Sequence, residues 1–234
     1  MRQIQALPET WFDGRVQLRF HGPRTEGRAS LERYIAGRYA RRYGARLTDF
    51  TPWLLSAARG AAPGAAPGAA PGAAPGAVLG LRPALADPLF LERYLDLPVE
   101  QQLAARLRRP VDRSGIVEIG NLAASEPAAR RLLFAALVEL LARSGHQWLV
   151  CTATTRVRCL IRAMGLPLLT LAAADPHRLG GAEREQWGGY YQGGPRVVAG
   201  EIATARAALA ACPEYRASLA PLLPALERIA AALR

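Results

Sequence analysis

The chain contains no lysine and a single asparagine, Asn121, so all 30 of its basic residues are arginine. Alanine, arginine, glycine and proline are heavily used instead, the mark of a GC-rich coding sequence, which avoids the AT-rich codons of Lys and Asn. The choice of arginine over lysine therefore says nothing about partners, although the net charge of +11 still does. Asn121 has been kept against that drift, beside a glycine at the end of a strand, which implies a need for its amide. The plainer alternative is a good turn residue. The three cysteines, Cys151, Cys159 and Cys212, are odd in number and widely spaced, which excludes a disulfide framework and a cysteine metal site. Cys151 lies in an apolar strand and reads as a small core residue. No apolar run reaches the length of a membrane span, and Met1 to Trp11 has no apolar signal core, so the expected location is cytoplasmic. No dense basic run with interleaved aromatics occurs, which argues against nucleic acid. The positive charge then points to an acidic protein or to phosphate groups.

What is present is enough for one large core: 234 residues, of which 50% are hydrophobic. Gly14 to His21 alternates apolar and polar residues and predicts a half-buried strand. Arg28 to Gly44 predicts a helix with Leu31, Tyr34, Ile35 and Tyr39 on one face. Arg33, Arg38, Arg41 and Arg42 form a solvated side or, on a sharper reading, a dock for an acidic carrier. Strands are expected over Leu47 to Ala57 and Ala77 to Arg82. Between them stand four copies of Ala-Ala-Pro-Gly, ending at Gly76. Proline and glycine every four residues prevent helix and sheet, so 59–77 is expected to be a disordered hairpin loop.

Short helices are expected over Pro88 to Asp96 and Val99 to Arg109. The stretch from Ser114 to Met164 organises the rest as strand, turn, helix, strand, helix. Its first strand is Gly115 to Ala123. Ser125 is expected as N-cap with Pro127 in the first turn, and Leu133, Leu137, Leu140 and Leu141 form an apolar stripe closed by Gly145. His146 to Thr154 is the second strand, and Thr155 to Met164 the second helix. A strand followed by a helix N-terminus makes a cradle of N–H groups for an anion. Strands over Pro167 to Ala172 and Arg196 to Ile202 follow, separated by a turn at Asp175 to Leu179 and a Gly-rich aromatic segment, Trp187 to Pro195, suited to walling a pocket. Ala203 to Leu209 and Ala217 to Leu233 are helical. The predicted fold class is α/β (α+β): one domain over 14–202 around a mixed, mostly antiparallel sheet flanked by helices, with a helical extension over 203–234.

That order is similar to the GNAT N-acetyltransferase fold. From about Arg28 to Ile202 the chain more specifically resembles the thermostable hemolysin family of bacterial proteins. The resemblance rests on Tyr43-Gly44-Ala45, Phe50-x-Pro52, Leu89-Phe90-Leu91-Glu92-x-Tyr94-Leu95-Asp96 and, above all, Val117-Glu118-Ile119-Gly120-Asn121-Leu122-Ala123. Thr152-Ala153-Thr154, Trp187-Gly188-x-Tyr190-Tyr191 and Pro195-x-Val197-x-Ala199-Gly200 add to it. The layout also resembles acyl-homoserine lactone synthases, whose Glu-Ile-Ser-Arg pattern is here Glu118-Ile119-Gly120-Asn121, with asparagine in the arginine's place. The usual GNAT pyrophosphate loop is replaced by Ser125-Glu126-Pro127-Ala128-Ala129-Arg130.

The resemblance implies transfer of an acyl group from a thioester to a small amine, an amino acid or related metabolite. The donor is acyl-CoA or the phosphopantetheine of an acidic acyl carrier protein; no metal is expected. Within it, Glu118 is the base or amine anchor and Asn121 orients the substrate or the pantetheine. The N–H groups of Ala128, Ala129 and Arg130, with the charges of Arg130 and Arg131, hold phosphate. Thr152 and Thr154 line the splay between two parallel strands, and Tyr190 or Tyr191 protonates the leaving thiolate. From the residues alone, Glu118 reads equally as a salt-bridge partner of an arginine, and Tyr190 and Tyr191 as packing against Trp187. The family's name implies another class, a membrane-lytic protein, and a third reading is a carrier-binding protein without catalysis.

Overall fold

The computed structural model describes residues 16–59, 75–85 and 88–233. The Ala-Ala-Pro-Gly copies fall almost entirely outside these, so the expected loop over 59–77 is described only at its two ends, and Gly14, the expected start of the domain, lies outside as well. In chain order the elements are β1 (Val16–His21), α1 (Arg28–Tyr43), β2 (Trp53–Arg59), β3 (Ala77–Pro83), α2 (Val99–Leu107), β4 (Ile116–Ala124), α3 (Pro127–Arg143), β5 (Trp148–Ala153), α4 (Thr155–Ala163), β6 (Leu169–Ala173), α5 (Gly181–Gln186), β7 (Arg196–Glu201), α6 (Ile202–Ala210), α7 (Pro213–Leu219) and α8 (Leu223–Leu233). The strands form one sheet in the order β1-β2-β3-β4-β5-β7-β6. Neighbours are antiparallel except β4 and β5, which run parallel with Ile116 opposite Trp148 and Ile119 opposite Cys151. The mixed, mostly antiparallel sheet predicted from the sequence is the observed one.

Helices cover both faces. On one, α3 and α6 to α8 share a core with Leu55, Leu79, Val117, Ile119 and Leu149. On the other, Ile116, Trp148 and Val150 pack with Leu89, Leu91, Tyr94 and Leu103, while Leu31 and Ile35 of α1 pack on Leu54 and Val78. Helix α3 is the hub. The expected stripe of Leu133, Leu137, Leu140 and Leu141 is buried, but so is every residue from Leu132 to Leu141, because the sheet lies on one side and the C-terminal helices on the other. Leu209, Leu219, Leu226 and Ala230, in the segment expected as an extension, are thereby part of the main core. The one charge in that run, Glu139, accepts from Arg143 and Arg206. Burial alone would raise its pKa, but the two guanidinium bonds outweigh burial and hold it low.

Four local expectations change. The strand expected from Leu47 begins only at Trp53, since Pro52 has no N–H and Arg28 takes the carbonyls of Thr51 and Pro52 at 2.8 and 2.7 Å. The helix expected over Pro88 to Asp96 is a 3-10 turn at Phe90–Tyr94, because side chains rather than the helix itself satisfy its N–H groups. The N-cap of α3 is Glu126 and not Ser125, whose hydroxyl is spent on the carbonyls of Pro75 and Gly76. The helix expected over Ala217 to Leu233 is interrupted by a 3-10 turn at Ala220–Leu222, which contains Pro221 and is followed by Pro224. Helix α5 was not expected.

Candidate active site

The site is built on a bulge in β4. Val78 of β3 pairs with Ala123, but Gly80 pairs with Gly120, so Asn121 and Leu122 together oppose Leu79. Asn121 takes φ 50°, the left-handed region that asparagine tolerates better than other residues with a side chain. Its Oδ1 accepts from the Thr51 N–H at 2.8 Å and so pins the loop after α1 to the sheet. Gly80 is required beneath that contact, since a Cβ there would lie 1.8 Å from Thr51 Oγ1. The bulge inverts the facing of the strand: Ile119 points to the α3 core, and Ala123, an even number of residues on, points to the α1 core. On its other edge β4 pairs with β5 only as far as Ile119 and Cys151, after which the two parallel strands separate.

Two clefts meet at this bulge among the described residues. The first holds about 660 Å³ of space, part of it open to solvent, and is lined by Glu118, Gly120, Asn121 and Arg82 from the sheet, by 46–51 and by Phe90, Glu183, Gln186 and Trp187. Glu118 is 5% exposed and makes no ion pair among the described residues. Its carboxylate instead accepts the N–H groups of Phe90 at 3.0 Å and Leu91 at 2.9 Å. Burial raises its pKa above the ordinary carboxylate range, with these N–H groups and the charge of Arg82 opposing. The octapeptide Leu89–Asp96 is thus hung on the site by its backbone. Glu92 accepts from Leu89 N, Val99 N and Arg113, while Arg178 reaches Asp96 and the carbonyls of Tyr94 and Leu95.

The second cleft, about 860 Å³ and also partly open, lies on the far side of the bulge between Leu122 to Pro127, α1 and the start of α4. Arg38, Arg42, Arg130 and Arg156 line it against one carboxylate, Glu126. At the start of α3 the N–H groups of Ala128 and Ala129 have no earlier turn to bond. That of Arg130 does, donating to Glu126 O at 3.1 Å, so it is removed from the expected set of phosphate donors. The Arg130 side chain faces the cleft, and burial together with the charges of Arg156 and Arg131 lowers its pKa, a position that an anion would relieve. Arg131 does not line the cleft, and its charge acts on Tyr215 of α7. Arg38 also ties α1 to the end of β4 through Ala124 O at 2.7 Å.

The remaining expected residues divide. Thr154 lines the second cleft at the N-terminus of α4, whereas Thr152 lines neither cleft and its hydroxyl is buried with no hydrogen-bond partner among the described residues. Tyr190 and Tyr191 also line neither. The Tyr190 hydroxyl donates to Thr152 O at 3.0 Å, and its ring packs 5.1 Å from that of Trp187. Tyr191 and Tyr94 share a hydrogen bond between their hydroxyls. With Tyr39, Tyr43, Phe90 and Trp187 these rings form one aromatic wall between the clefts. Gly188 lets that wall close on α1, since a Cβ there would lie 2.3 Å from Tyr43 O. Sequence reasoning did not single out Arg82, Arg46, Asp49, Arg156 or Thr51. Of these only Arg82 had a signal, as the polar residue of a strand that pairs with Glu118.

A family model described as thermostable hemolysin matches residues 21–206. The chain belongs to the thermostable hemolysin family. Among solved structures, this family member is similar to TofI in an apo form at 18% identity, with 85% of this chain and 99% of that one covered and a TM-score of 0.51. It is similar to FeeM, an N-acyl amino acid synthase from uncultured soil microbes, at 12% identity over 82% and 94% of the two chains, with a TM-score of 0.50. BjaI, a CoA-dependent acyl-homoserine lactone synthase solved with SAM and isopentyl-CoA, gives 16% identity over 83% and 87%, also with a TM-score of 0.50. At such identities the likeness establishes the fold: this thermostable hemolysin family member has the GNAT-like fold of acyl-transferring synthases. No curated protein matches the chain.

Proposed function

We propose that the protein is an N-acyltransferase that moves an acyl group from a phosphate-bearing thioester to a small amine. The donor is acyl-CoA or the phosphopantetheine arm of an acyl carrier protein. The observation that carries this reading is the contrast between the two clefts that meet at the β4 bulge. Arg38, Arg42, Arg130 and Arg156 make one strongly positive beside a helix N-terminus, which suits the donor's phosphates. The other presents the buried carboxylate Glu118, which suits an amine. The shared fold of FeeM, an N-acyl amino acid synthase, and BjaI, an acyl-homoserine lactone synthase, supports it.

In this reading the amine enters on the Glu118 side and the thioester on the Arg130 side. Glu118 takes a proton from the amine, the nitrogen attacks the carbonyl carbon, and the oxyanion faces the N–H groups that the bulge and the strand splay leave outside the ladder. The C–N bond forms, the C–S bond breaks, and the thiolate leaves as a free thiol after taking a proton from solvent. Tyr190 and Tyr191 shape the wall rather than supply that proton. The test is Arg130→Glu. Donor KM is expected to rise about 10–100-fold, since a charge-assisted contact of about 1.5–3 kcal/mol is lost and a repulsion added, while acceptor KM stays within twofold (about) of the wild type. Steady-state kinetics with free-thiol detection and mass spectrometry of the acylated amine read both. Lysis of membranes by purified protein with no thiol released would sink the proposal in favour of the lytic class.

A further inference from the structure

We propose that the amine acceptor is an α-amino acid with an apolar side chain, bound as a zwitterion across the cross-strand pair Arg82 and Glu118. This rests on the acyl-transfer reading and names the substrate class of the same site. Arg82 stands directly opposite Glu118 in the β3–β4 register, and both line the first cleft. Side chains opposed in this way have Cβ atoms about 4.5–5.5 Å apart. The pair therefore sets one positive and one negative side chain side by side on one face of the sheet, where a ligand carrying both signs can bridge them. Glu118 spends one bond from each oxygen on Leu91 N and Phe90 N, which leaves acceptor capacity for an ammonium. Arg82 makes no hydrogen bond or ion pair among the described residues, so its fork is open to a carboxylate.

The rest of the cleft repeats this mixture of signs. Arg46 and Asp49 stand at the exposed mouth, and Glu183 is already paired with Arg93. A simple cationic amine would meet Arg46 and Arg82 with nothing to offer them; a dicarboxylate would meet Asp49 and Glu118. A zwitterion satisfies both signs. Phe90 and Trp187, in contact with each other across the cleft wall at 5.5 Å between ring centres, supply the apolar surface for the acceptor's side chain.

The experiment compares leucine and phenylalanine with their methyl esters and with isoamylamine, which is leucine without its carboxylate. Binding is read by saturation-transfer NMR without any donor. Turnover is read by mass spectrometry with octanoyl-CoA and with an octanoylated carrier protein. The free amino acids are expected to bind and to be acylated with a kcat/KM about 30–100-fold above the esters, the loss expected for one charged hydrogen-bonded contact. Arg82→Gln is expected to remove that preference, and Arg82→Lys to restore part of it, with circular dichroism showing both variants folded. Equal acylation of acids, esters and amine, or a preference untouched by Arg82→Gln, overturns the zwitterion site and leaves acyl transfer standing. Carboxylate-dependent binding without turnover by either donor keeps the site and overturns the acyl-transfer reading. Absence of both binding and turnover overturns the inference.

Discussion

Glu118→Gln is expected to lower acyl-amine formation by about 10²–10⁴-fold, the usual worth of a positioned general base. The argument depends on where the carboxylate sits. It lines the first cleft and is nearly buried, and its hydrogen bonds are to backbone groups, so no ion pair among the described residues ties it up. Glutamine keeps the shape and one acceptor but turns an NH₂ group toward the second backbone N–H, at a cost of about 1–3 kcal/mol. Glu118→Ala orphans the N–H groups of both Phe90 and Leu91, so about that amount is lost for each, and the octapeptide that walls the cleft is released. Urea unfolding separates the catalytic loss from the structural one: Gln should be nearly inactive while folded, Ala inactive and less stable.

The same residue sets a pH signature. Its pKa in the folded protein is raised, so the protonated form is the one that folding favours. That stability is fully present below the ordinary carboxylate pKa and is lost as pH rises through the raised value. Activity runs the other way, because the base must be deprotonated. Wild type is therefore expected to gain activity and lose stability over one window above the ordinary carboxylate range, and Glu118→Gln should flatten the stability change. A pH–rate profile with no acid limb would remove Glu118 from the role of base.

The second large effect is expected at Asn121. Asn121→Gly keeps the left-handed conformation and loses only the bond to Thr51 N, for about 1–2 kcal/mol. Asn121→Ala loses that bond and adds the strain of a Cβ at positive φ, another 1–2 kcal/mol or about that. Alanine should thus be the more damaging of the two, an order that a mere surface turn would share but without consequence for catalysis. Here the bond pins 46–51 over the first cleft, so on the acyl-transfer proposal acceptor KM should rise in both variants by about tenfold while donor KM holds. Unchanged acceptor KM in Asn121→Gly would show that the loop keeps its place without the amide.

Much of this was readable from the chain because it is periodic or local. The alternation of β1, proline at the start of α3 and the apolar run of β5 are all short-range signals, and they gave the element order. The family motif around Glu118 falls on the strand that carries the bulge and lines the first cleft. What escaped is made of contacts between distant segments. The bulge adds one residue to a strand pairing and leaves no trace in hydropathy; only a lone asparagine beside Gly120 hinted at it. Glu118 was weighed against an arginine partner, yet its partners are two main-chain N–H groups, which have no letter in the sequence. The N–H of Arg130 reads from the sequence as free for an anion, but helix α3 already claims it. The tyrosines were noticed for their hydroxyls, which turn out to be committed to a carbonyl and to each other.

Helix α3 has a consequence of a different kind. Its middle turns touch the sheet on one side and α6 to α8 on the other, and no face of Leu132 to Leu141 meets water. Its amide protons can then reach solvent only when both layers come away, and the core that joins those layers is built on α3 itself. Exchange at these amides should report the free energy of the whole molecule rather than of a local opening. The helix is in that sense the protein's own gauge of global stability, a fixed reference against which a loosened cleft wall and a weakened fold can be told apart.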